Sequence, residues 1–126
     1  MEITRDTELT TELLKEMKAE YKKLYKTVLD GEVYIWHKLS RKDYKKIMKD
    51  YEDILDQSER LWAREEAACR LSVIYPSSEV LEEVMDSSAG MATMLSEEIY
   101  EKSGFKVAEK TEEVKAQCYE LKASGK

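Results

Sequence analysis

A chain of 126 residues with 42% hydrophobic and 38% charged side chains can build one modest core and is too short for two. One proline, four glycines and no asparagine leave few residues for tight turns, which argues against an all-β fold; the wealth of Glu, Lys, Leu, Met and Ala favours helices. The formal net charge of −6, with both signs interleaved, argues against a broad footprint for nucleic acid, and no run of about 18 apolar residues is present to cross a membrane.

In chain order, a polar lead-in gives way to a long predicted helix over residues 7–29, capped by Asp6 or Thr7. Leu9, Leu13, Met17, Tyr21, Leu24, Tyr25 and Val28 recur at the 3.6-residue period, and Gly31 suits the left-handed position after a helix. Such a helix is about 35 Å long at 1.5 Å per residue, more than the roughly 25–30 Å that a domain built from the remainder would span. Its N-terminal half, with Leu9, Leu13 and Met17, is therefore expected to overhang and to dock on a partner or a second copy. Residues 1–31 read as this amphipathic helix, 32–105 as a helical core domain with a leading strand, and 106–126 as a weaker final helix and tail.

Glu32–Leu39 is the one convincing strand, with Val33, Ile35 and His37 on one side and Tyr34, Trp36 and Lys38 on the other. Tyr34 and Trp36 join Leu9, Leu13, Met17 and Tyr21 as candidate partner-binding residues. A lone strand must pair with an irregular segment, lie across helices or add to a sheet in another subunit. Ser40 then starts a helix, with Asp43 three residues on as a short version of the capping-box acid, and Tyr44, Ile47, Met48, Tyr51, Ile54 and Leu55 as its apolar face. Ser58 is the expected cap of the next helix, which Pro76 ends; a short helix follows Ser77 or Ser78, another runs from Met91 to Ser103-Gly104, and a last one shows Val114, Cys118 and Leu121. The expected fold is mainly α, a small irregular bundle of five or six helices with one short strand, in which Ile47, Trp62, Leu71, Leu95 and Phe105 share one core.

The chemistry-bearing residues point to no catalytic, metal or cofactor site. His37 has no Cys or His at ligand spacing and no nucleophile motif beside it. Cys69 sits among alanines and reads as an inert core thiol, and Cys118 is too far away to form a metal or redox motif with it, so both are expected to be free. The glutamate doublets, such as Glu65-Glu66 and Glu97-Glu98, point about 100° apart on helices and read as solvated faces. The densest positive charge is Lys38, Arg41, Lys42, Lys45, Lys46 and Lys49, an alternative binding face for phosphate or nucleic acid. A helix-turn-helix around residues 87–90 fails on charge, since its second helix would offer Glu97, Glu98 and Glu101 to a polyanion.

Two segments carry a resemblance. Tyr34-Ile35-Trp36-His37-Lys38-Leu39-Ser40-Arg41-Lys42-Asp43-Tyr44, and then Cys69–Pro76 with Ala89–Ile99 closing on Ser103-Gly104-Phe105, resemble small tail assembly chaperones and baseplate or tail components of large contractile-tailed bacteriophages. The resemblance covers residues 33–105 and rests on helix caps and core positions. It implies a non-enzymatic protein of virion assembly in the host cytoplasm, either a chaperone or a component incorporated in the virion. No cofactor is implied, and the partners would be tail tube, tape-measure or baseplate proteins, or a second copy.

Overall fold

A computed structural model describes residues 2–105. Among them are five helices and a three-stranded antiparallel sheet, so the fold is mixed α/β and not the helical bundle with one strand that the periodicity suggests. The expected C-terminal helix, with Val114, Cys118 and Leu121, lies outside the described residues.

The largest correction is at the first helix. Helix α1 runs only from Thr11 to Tyr21, about 16 Å at the usual rise. Thr10 caps its start by accepting from the Leu13 N–H at 3.1 Å. Lys22 ends it at a positive φ of 66°. The chain then extends into β1 (Tyr25–Leu29), turns at Asp30-Gly31 and returns as β2 (Glu32–Trp36), with Tyr25 opposite Trp36 and Leu29 opposite Glu32. Both turn residues have positive φ, 53° and 79°, which is the type I′ requirement that matches the twist of paired strands. A boundary at residue 31 thus falls inside a hairpin turn.

Strand β2 is the centre of the sheet. Its far edge pairs antiparallel with β3 (Val73–Tyr75), Ile35 opposite Tyr75 and Trp36 opposite Val73. The side chains of β2 alternate as its sequence predicts, but both faces are covered. Tyr34 and Trp36 enter the main core with Leu39, Ile47, Ala68, Leu95 and Ile99. Ile35 enters a smaller cluster with Leu13 and Met17, so α1 packs on the opposite side of the sheet from the other helices. The overhanging helix of the sequence reading is therefore a short one folded onto the core.

The remaining helices build the thicker layer. Helix α2 (Arg41–Asp50) carries the expected capping box: Ser40 Oγ accepts from the Asp43 N–H and Asp43 Oδ2 from the Ser40 N–H, both at 3.1 Å. Helix α3 (Gln57–Ser72) is capped by Asp56, whose Oδ1 accepts from the Glu59 N–H at 2.9 Å, and not by Ser58. It ends in β3 instead of continuing to Tyr75. Ala67, Ala68 and Cys69 let it lie close against α5 (Met91–Lys102). Between them α4 (Ser78–Ser87) starts at Ser77 and contributes Leu81. Helix α5 closes in a Schellman motif: Gly104, at φ 108°, donates to the Glu101 carbonyl and Phe105 to that of Tyr100. The Ser103 hydroxyl accepts from the Leu39 N–H at 2.8 Å, tying the exit of α5 to the entry of α2.

Candidate functional site

Helix α3 is longer than the core beneath it. Its buried residues are Ala67, Ala68, Cys69 and Ser72, all in the second half, so the first two turns run past their neighbours. Leu61 and Trp62 lie there, 55% and 54% exposed, and Leu55 in the preceding connection is 94% exposed. The expected core position of Trp62 is thus overturned, although Ile47 and Leu95 are fully buried and Leu71 packs against them. Phe105, also expected in the core, is 44% exposed.

Beside this surface is a groove of about 580 Å³ between α2 and α3, closed at one end by the terminus of α5. Its size falls in the usual range for ligand sites. One wall is aromatic. The rings of Tyr44 and Phe105 lie 4.5 Å apart, and Tyr100 meets both edge-on, at 6.4 and 5.6 Å. Met48 and Leu61 add aliphatic surface. The other wall is polar. Arg60 Nη1 donates to the Ile54 carbonyl and Arg64 Nη2 to the Met48 carbonyl, each at 2.6 Å. Those bonds fasten the end of α2 and its connection to α3. Neither guanidinium has a carboxylate within ion-pair distance among the described residues, although Arg5, Lys46 and Arg70 each do. Glu65, the acid in the same lining, instead accepts a 2.6 Å bond from the Thr93 hydroxyl.

Two polar atoms behind the groove surface, the Arg64 Nε and the Tyr100 hydroxyl, have no hydrogen-bond partner among the described residues. Burial, and then the neighbouring Tyr44, pushes the Tyr100 phenol up to about 12, so it stays a donor across the neutral range. A surface of this kind can hold an apolar side chain against the aromatic wall and an acceptor against the arginine wall.

The residues singled out for partner binding are brought together only in part, and inside the protein. Leu13, Met17, Tyr34 and Trp36 are buried. Leu9 is half-buried against the small cluster, and Tyr21 stacks on His37 with ring centres 4.7 Å apart. None of the buried four can meet a partner without unfolding. The basic residues fare differently: Lys38, Arg41, Lys42, Lys45, Lys46 and Lys49 are all exposed. Lys42, Lys45, Lys46 and Lys49 form one stripe along α2, away from the groove side marked by Tyr44 and Met48, and Lys46 pairs with Asp50 at 2.8 Å. Among the described residues no three His, Cys, Asp or Glu side chains converge as metal ligands, and no helix is long and apolar enough to cross a membrane. Cys69 is fully buried and is paired with no other cysteine among the described residues.

Leu55, Arg60, Leu61, Trp62 and Arg64 were not legible as a surface. In the sequence they sit on the same helical period as core residues; in the fold Leu61 and Trp62 are exposed on the first turns of α3, Leu55 is exposed in the connection before it, and Arg60 and Arg64 are half-buried at the groove. No protein-family profile matches the chain, and no curated protein or solved structure is significantly similar to it.

Proposed function

We propose that this chain is a non-enzymatic assembly protein that acts by binding another protein through the first turns of α3 and the adjoining groove. The observation that carries this reading is the contrast between its two tryptophans. Trp36 is 1% exposed, whereas Trp62 stands on the surface beside Leu61 and close in sequence to Leu55. Tryptophan is enriched among the residues that dominate protein interfaces, and a row of large apolar groups left in water is the usual mark of a covered face. The resemblance to contractile-tail assembly proteins gives the setting: the partner is a tail tube, tape-measure or baseplate component, or a second copy of this chain.

The test is co-expression with each candidate tail protein in turn, scoring a stoichiometric complex by size-exclusion chromatography and light scattering. Trp62→Ala and Leu61→Glu should abolish the complex while circular dichroism stays unchanged. A complex that survives both substitutions overturns the reading. The alternative, an accessory role on nucleic acid or a host factor, draws on the exposed lysine stripe of α2. It requires binding to duplex DNA that collapses between 50 and 200 mM salt and weakens uniformly when Lys45 and Lys49 become Gln.

A further inference from the structure

We propose that the groove between α2 and α3 takes a segment of the partner protein in which an apolar side chain is joined to a carboxylate, and that Arg60 and Arg64 select the carboxylate. This rests on the reading of the α3 face as a protein-binding surface and adds the chemistry of what binds there.

The argument is one of charge left uncompensated. The protein carries 27 Asp and Glu against 21 Lys and Arg. Arg70 nonetheless draws Glu66 and Glu82, while Arg60 and Arg64 are half-buried with no carboxylate within ion-pair distance among the described residues. Each gives one N–H to a backbone carbonyl, a role that fixes the guanidinium in place but does not neutralise it. A guanidinium held rigid at the edge of an apolar wall is the arrangement that favours bidentate binding of a carboxylate. Desolvation by the wall strengthens that attraction relative to open solvent. Glu65, in the same lining, accepts from Thr93 and disfavours an acid placed directly against it, which sets a limit on the site. The apolar half of the ligand has its counterpart in Tyr44, Met48 and Phe105. An acidic residue without an apolar neighbour would leave that wall wet, and an apolar residue alone would leave the two cations unmatched.

The experiment compares 3-phenylpropionate with 3-phenylpropanamide on the full chain, following backbone amide signals by NMR. The acid should shift Met48, Leu61 and Phe105 with an affinity about tenfold above that of the amide, the ratio expected for one charge-assisted contact. Arg60→Gln should erase the difference and Arg60→Lys should keep part of it. If Arg60→Gln does not fold, the comparison on the unaltered protein still decides. Equal affinities, or shifts confined to other surfaces, overturn the proposal. Signals of residues 106–126 moving together with the groove would make the chain's own C-terminal segment the occupant, and dissociation of a dimer by the acid would make it a second copy; either overturns the partner assignment. Failure here is distinct from failure of the functional reading. A partner complex lost in Trp62→Ala but indifferent to Arg60→Gln leaves the surface standing and removes the carboxylate.

Discussion

The Trp36 indole Nε1 donates to the Thr27 hydroxyl at 2.9 Å, across the hairpin formed by β1 and β2. Trp36 also stacks on Tyr25, the residue opposite it in the ladder, with ring centres 4.8 Å apart. The largest buried side chain in the core is thus polar-satisfied by the strand that the helical period hides. Thr27→Val keeps the shape and removes the acceptor, stranding a buried N–H. Stability should fall by about 1–3 kcal/mol, read from urea unfolding, with m unchanged.

The two tryptophans should separate cleanly under substitution. Trp36→Ala opens a cavity in the main core and should cost about 3–5 kcal/mol. Trp62→Ala removes a side chain that is 54% exposed and should cost under about 1 kcal/mol. Iodide quenching of fluorescence checks the same point, since the Trp62 signal should be quenched and the Trp36 signal protected.

Gly31 holds φ 79° in the hairpin turn. Nothing crowds a Cβ built there, so the obstacle to a larger residue is the backbone conformation alone. Gly31→Ala should therefore destabilise by about 1–2 kcal/mol, and Gly31→Asn by less, because Asn tolerates the left-handed region. Thermal unfolding of the two variants should rank them in that order.

This turn also shows what the sequence could and could not reveal. Leu13, Met17, Tyr21, Leu24 and Val28 make an unbroken helical stripe, while Tyr25, Thr27 and Leu29 alternate as a strand does. A glycine in the left-handed region serves a helix C-cap and a type I′ turn equally, so Asp30-Gly31 does not decide between them by itself. The pairing partner decides, and Glu32–Trp36 lies immediately downstream. Local features came through intact: the Ser40–Asp43 box and the helix end at Ser103-Gly104 involve residues within five positions of each other. Strand β3 did not, because three residues carry almost no periodicity and their partner is far away in the chain. The α3 surface was hidden for the same reason. Whether Trp62 is covered depends on where α2 and α5 stop, not on its own neighbours in sequence.

Alkaline pH should weaken the fold. Burial, followed by Glu65 and Glu66, pushes the Cys69 thiol from 9.0 up to about 12, and burial raises Tyr100 from 10.0 to about 12. Both groups hold their protons more tightly when folded, so above about pH 9 the unfolded state binds fewer protons and stability falls with rising pH. The contribution is complete below pH 9 and is lost as pH climbs through about 12. Urea midpoints measured from pH 8 to 11 should fall, and Cys69→Ala should flatten the fall between pH 9 and 10.

The position of β2 at the centre of the sheet sets an order of events in folding. Its pairing with β1 closes only the two-residue turn at Asp30-Gly31, whereas pairing with β3 must wait until the whole α2–α3 span has been drawn together. Loop closure makes the second step the slow one, since its entropy is lost before the strand contacts form. The hairpin is consequently the early template, and β3 docks on it together with α3. Substitutions that weaken the Asp30-Gly31 turn should then slow refolding, and those in Val73–Tyr75 should chiefly quicken unfolding.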